Sequence, residues 1–313
     1  MTTTLEVQKF DVKPLSEWKS VATELLGTQT RIVQGKSFYH RVIEAGSSGE
    51  PLILIHGVGG HAETYARNLH GLARAGFHVY AIDALYHGYS SKQPYVDDNR
   101  TEKQADALAD LIEALGYKWA HIEGESMGGG ITFLFGMKYP QMCGKLILNT
   151  GIGPINLKKT DFPQNPGGGN TLQELSQASI MTPTRETVRA RMEWLVADPS
   201  RMTDEMVDIR LRLYADPEIY ESIKRVYRVG QQWATANAVQ RQYEEEEVQA
   251  NFKPQALVFW TDKNPGQGPA YGEYVSNVIP GAKFYNMLDA AHWPQWEKPE
   301  EHDQVLIDFI RGK

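Results

Sequence analysis

One pentapeptide constrains this chain more than any other feature. Gly124-Glu125-Ser126-Met127-Gly128 lies between the strand-like run Trp119-Ala120-His121-Ile122-Glu123 and a helical run ending at Tyr139. A strand that turns at once into a helix leaves no room for side chains beside the turn, so glycine flanks the serine. Ser126 then stands at the C-terminal end of a strand, where clefts form in open α/β sheets. The next helix aims its N-terminus at the same point, which favours developing negative charge. The spacing points to a serine nucleophile.

The flanking sequence supplies the sheet this turn requires. Strands are expected at 51–55, 77–83, 119–124, 145–149, 256–260 and 283–287, and helices at 66–76, 103–115, 128–139 and 300–311. That alternation implies an α/β fold with a mostly parallel sheet flanked by helices. It breaks after Thr150. Residues 152–171 are rich in Pro, Gly and Asn, and about 172–248 carry helical patterning. An insertion of ~80–100 residues exceeds an ordinary connection and reads as a helical cap over a cleft. The expected organisation is an N-terminal extension over 1–36, with a short amphipathic helix at 15–27. A first core segment at 37–151, the cap at 152–250 and a second core segment at 251–313 follow.

The remaining catalytic groups follow from the chain order serine, acid, histidine. His292 follows the last strand and is the expected general base. His302 falls in the terminal helix, with an exposed position expected. Asp262 is the only carboxylate in the turn after Trp260 and is the expected acid, fixing the imidazole tautomer. Asp289, close to His292, lies on the wrong side of its strand end. His56-Gly57-Val58-Gly59-Gly60 follows an early strand and lacks the spacing and lysine of a nucleotide loop. The backbone N–H groups of Val58 and Met127 are assigned as oxyanion donors. His56 and Trp293 are expected to line the pocket. Trp260 and Trp296 read as packing residues, and Cys143 as a packing thiol.

Composition narrows the partners. The formal net charge is -7, which disfavours nucleic acid. The N-terminus lacks a signal-peptide pattern and no apolar run approaches a membrane span, so cytoplasm is the default. With one cysteine there is no intrachain disulfide. Neither a metal nor a cofactor is called for, a small molecule is the expected partner, and a homo-oligomer is left open.

With these residues in place, the chain resembles the meta-cleavage-product hydrolases, α/β-hydrolases that cut a carbon–carbon bond in ring-opened aromatic acids. The elbow at 124–129, Lys145-Leu146-Ile147-Leu148 and His292-Trp293-Pro294-Gln295-Trp296-Glu297 carry the resemblance. It implies a serine, an aspartate and a histidine without metal, and a cap arginine that holds the substrate carboxylate. Thr203 to Arg210 resembles the segment bearing that arginine, so Arg210 is the candidate. Three departures stand out. The glycine pattern of the oxyanion loop differs, Gln104 stands where the family has a dienoate-contacting asparagine, and Asn264 stands at the family's aspartate position. These changes shift the expectation toward hydrolysis of a carboxylic ester of a small acidic or aromatic substrate, such as a monoalkyl phthalate. Carbon–carbon hydrolysis of 2-hydroxy-6-oxo-dienoates is the alternative, and a non-catalytic binding protein on the same fold the third reading.

Overall fold

The computed structural model describes residues 20–96, 98–227 and 240–313. Eight strands form one sheet: β1 (Gln29–Gln34), β2 (Tyr39–Ala45), β3 (Glu50–Ile55), β4 (Phe77–Ile82), β5 (Ala120–Glu125), β6 (Cys143–Asn149), β7 (Ala256–Thr261) and β8 (Lys283–Met287). Their spatial order is β1-β2-β4-β3-β5-β6-β7-β8. From β4 to β8 every pairing is parallel, while β1–β2 and β2–β4 are antiparallel.

The antiparallel edge is the part the hydrophobic pattern missed. In β1 only Val33 is buried, and Gln29, Thr30, Ile32 and Gln34 are exposed, whereas β3 and β7 are near-continuous apolar runs buried on both faces. The sheet therefore begins before residue 37, inside what was read as an extension. Of the helix expected at 15–27, residues 15–19 lie outside the described residues, and a single turn, Val21–Glu24, is helical.

Both faces are covered. Helices α2 (Arg100–Ala114), α3 (Met127–Lys138) and α8 (Pro269–Val278) pack one face through Leu108, Leu111, Ile131, Phe135 and Val275. Helices α1 (Leu69–Arg74) and α9 (Pro299–Arg311) pack the other through Leu69, Leu72, Leu306 and Phe309. Between β6 and β7 the chain leaves the sheet and builds α4 (Asn170–Met181), α5 (Arg185–Glu193), α6 (Asp204–Tyr214) and α7 (Pro217–Val226). Their starts are set locally: Thr184 and Thr187 form a capping box, Thr203 accepts from Met206 N–H, and Asp216 accepts from Glu218 and Ile219 N–H before Pro217. These helices share an apolar cluster of Ile180, Val188, Met192, Met206 and Val207. Trp293 and Trp296, from the segment after β8, join it and seat the cap on the sheet's C-terminal edge. Among the described residues no helix is long and apolar enough to cross a membrane.

Candidate active site

Four strand ends deliver the site. Ser126 follows β5 with φ 54 and ψ −112, a conformation L residues seldom adopt, and its N–H donates to Asn149 O at 2.8 Å. The bend leaves no room beside it. A Cβ on Gly124 would lie 2.0 Å from Gly128 O, and one on Gly128 would lie 2.3 Å from Ile55 O. The amides of Val58, after β3, and Met127, at the start of α3, have no hydrogen-bond partner among the described residues. Both residues line a cavity of about 990 Å³ with Ser126 and His292.

The imidazole of His292 is fixed from one side by Asn264. The Asn264 amide N–H donates to Gln267 O at 2.8 Å, which turns its Oδ1 to the ring, 2.6 Å from Nδ1. An amide oxygen only accepts, so Nδ1 carries the hydrogen and Nε2 keeps its lone pair. Nε2 lies 3.3 Å from Glu125 Oε1, without the alignment of a hydrogen bond. Ser126 and His292 share the cavity without a direct hydrogen bond.

Glu125 is fully buried, and its Oε2 accepts from Gly57 N–H at 2.6 Å. Burial pushes its carboxyl up to about 8, against the pull of the Gly57 amide and of Arg191 and Arg210. His292 moves the other way: burial, then the Arg191 charge, pushes it down to about 3. At neutral pH the ring is an uncharged acceptor facing a largely protonated carboxyl. Over the ring's other surroundings stands Trp194, 5.2 Å away between centroids, with its Nε1–H on Gly167 O.

The model of the alpha/beta hydrolase fold family matches residues 50–299. This chain belongs to the α/β-hydrolase family. It is 30% identical over 275 residues to a 2-hydroxy-6-oxononadienedioate/2-hydroxy-6-oxononatrienedioate hydrolase of Paraburkholderia phymatum, covering 85% of this chain and 89% of the relative. It is 29% identical to a 2-hydroxy-6-oxo-6-phenylhexa-2,4-dienoate hydrolase of Comamonas testosteroni, covering 86% and 90%. A solved meta-cleavage product hydrolase superposes with TM-score 0.75 at 20% identity, over 90% of this chain and 98% of the other. The expectation of carboxylic-ester hydrolysis is overturned by these relatives, whose names are those of dienoate hydrolases.

Within this hydrolase several expected positions are reassigned. Asp262 does not hold the imidazole: its Oδ1 accepts from Ala290 N–H at 3.3 Å, two residues short of Asn264 in a turn too tight to bring both to the ring. Asp289 pairs with Lys263 at the surface. His56 is not in the cavity lining; its Nδ1–H donates to Gly57 O at 2.7 Å and its Nε2 accepts from Ala84 N–H at 3.1 Å, so both nitrogens are spent inside the protein. Trp293 is likewise off the cavity wall. It packs in the cap cluster with Arg210 over its ring, Cζ 5.6 Å from the centroid, while its N–H bonds Leu195 O. Trp260 and Trp296 are fully buried. Arg210 is buried and outside the lining, with Nε and Nη2 unpartnered among the described residues. Gln104 turns its amide inward, to Leu85 O at 3.1 Å.

His302 is not exposed but fully buried, between Glu123 Oε1 at 3.0 Å and Asp303 Oδ1 at 3.2 Å. Residues the sequence reading passed over are Glu125, Arg191, Trp194 and Tyr227, whose hydroxyl donates to Val58 O at 3.0 Å. Only Glu125 had a signal: a carboxylate at the end of a strand buried throughout. The other three lie in the cap, where spacing alone does not reveal which face meets the sheet.

Proposed function

We propose that this hydrolase cleaves the carbon–carbon bond of 2-hydroxy-6-oxo-dienoates, the ring-opened products of aromatic acids. The observation that carries the reading is the dienoate-hydrolase kinship over 85% of the chain, together with a cavity that joins Ser126, His292 and two unpartnered amides.

In this reading Ser126 Oγ attacks the C6 ketone while His292 Nε2 takes its proton. The Val58 and Met127 N–H groups receive the new oxyanion, a contribution of about 2.7–4 kcal/mol each to the barrier. The 2-hydroxyl proton first moves to C5, giving the 2,6-dioxo-3-enoate; collapse of the adduct then breaks C5–C6, the electron pair runs through C3=C4 into the C2 ketone, and the dienolate takes its proton from the His292 imidazolium. Water, deprotonated by His292, then releases the second acid from Ser126. Arg210, buried behind the cavity wall with Nε and Nη2 unpartnered among the described residues, turns into the cavity in this reading to hold the dienoate carboxylate.

Asn264 sets the tautomer but brings no charge. The carboxyl that faces the imidazole is Glu125, so ionisation of Glu125 is what steadies the imidazolium. A base held near pH 3 is weak until a negative charge arrives beside it.

A chromogenic dienoate tests this directly. Its visible band should bleach with the wild type and persist with Ser126→Ala. Loss of the band at equal rates in both proteins would remove the reading.

A further inference from the structure

Two guanidinium groups are buried in the cap, Arg191 on the cavity wall and Arg210 behind it, and neither has an anionic partner among the described residues. Arg191, on α5, is 3% exposed and lines the cavity with Ser126, Met127, Trp194 and His292. Its Nε–H donates to Ser176 Oγ at 3.0 Å, and its Cζ lies 4.8 Å from the Trp194 ring centroid. Those two contacts fix the group and leave Nη1 without a partner. Arg210, on α6, is 2% exposed and leaves Nε and Nη2 without partners. Buried cations are costly unless paired, and a cation held rigid and unpaired at a cavity wall is a waiting receptor.

Two unpaired cations call for two negative charges. The protein's own candidate, Glu125, spends one oxygen on Gly57 N–H and is held largely neutral by burial. Planar guanidinium with one edge free matches a carboxylate in geometry and charge. We infer that Arg191 is the receptor for a second substrate carboxylate, so that this hydrolase acts on dienedioates rather than on dienoates with an uncharged aryl end. The inference rests on the dienoate reading above, which leaves the first carboxylate to Arg210. It carries a consequence for the base. After burial, the Arg191 charge is what depresses His292. A carboxylate on Arg191 neutralises that charge, so a diacid makes the imidazole more basic as it binds.

The test uses Ser126→Ala protein, which holds substrate without turnover. It is titrated by absorbance with 2-hydroxy-6-oxonona-2,4-dienedioate and, separately, with the 6-phenyl monoacid. Adding Arg191→Met should lower the diacid-to-monoacid affinity ratio on the order of 10- to 100-fold, the worth of a hydrogen bond to a charged group. Arg191→Gln, which keeps a donor for Ser176, should give the same direction, and thermal melting confirms that each variant is folded. An unchanged ratio overturns the inference, whether both affinities fall together or neither moves. So does failure of the diacid to bind the Ser126→Ala protein at all. Turnover is read separately in the Ser126 background: binding selectivity without bleaching of either compound would count against the carbon–carbon reading and leave the Arg191 assignment standing.

Discussion

Two buried histidines near the C-terminus show what decides the charge of an imidazole. His292 meets a neutral amide, Asn264, and feels the cation of Arg191; burial and that charge push it down to about 3. His302 is buried more deeply still, and burial alone would lower it too. The carboxylates of Glu123 and Asp303 reverse the outcome and push it up to about 9. The same side chain, buried in both places, takes opposite protonation: the partner's charge wins over burial. His302 is a cation locked into a polar knot with Asn68, 2.8 Å from Asp303, beneath the catalytic edge of the sheet. His292 is a neutral lone pair kept ready at that edge.

The comparison breaks most visibly in catalysis. His292→Gln should lower kcat by about 10⁴-fold or more, whereas His302→Gln should leave kcat per folded molecule within a few-fold. Steady-state rates normalised to active protein check both. Comparable losses would mean that the two rings do not divide the work in this way.

Stability should run in the opposite order. His302→Gln leaves Glu123 and Asp303 without their cation, a loss of about 3–5 kcal/mol. The folded His302 value lies above the ordinary 6.5, so its contribution is complete below pH 6.5 and fades as pH rises through 9. Urea denaturation of the wild type and His302→Gln should therefore show a gap that narrows across that window.

Glu125 sharpens the catalytic half. Its folded value, about 8, is raised from 4.5, so the stability linked to its protonated form is complete below pH 4.5 and lost as pH climbs through 8. Glu125→Gln cannot ionise. Its melting temperature relative to wild type should rise by roughly 5 °C between pH 5 and pH 8. In the same variant, any limb of kcat/KM near pH 8 should disappear.

Asn264→Asp would give His292 the charge that His302 already has. The acidic limb of kcat/KM should move up by about one pH unit or more, read from a full pH–rate profile. The smallest effect is expected at Asp262→Asn, within about three-fold in kcat, because that carboxylate serves the Ala290 amide and not the ring.

Much of this molecule was written in short stretches of chain. The elbow was legible because a serine between glycines, after one apolar run and before another, has few other uses. The parallel strands were legible because β3 and β7 are buried on both faces and so carry unbroken apolar runs. The edge strand β1 was not, since it is exposed at four of six positions and gives a weak pattern. The acid turn was misread for a related reason. A count of carboxylates selects Asp262, but which residue reaches the imidazole depends on the path of the turn.

By itself the sequence determined the α/β alternation and singled out Ser126 and His292 as the candidate nucleophile and base, because those depend on neighbours along the chain. The tertiary structure alone decided that Asn264 holds His292, that Glu125 faces it, and that Arg191 and Trp194 descend from the cap onto it. Those relations join β5, β7, β8 and α5, segments far apart in the chain, and charge and desolvation act through space rather than along the backbone.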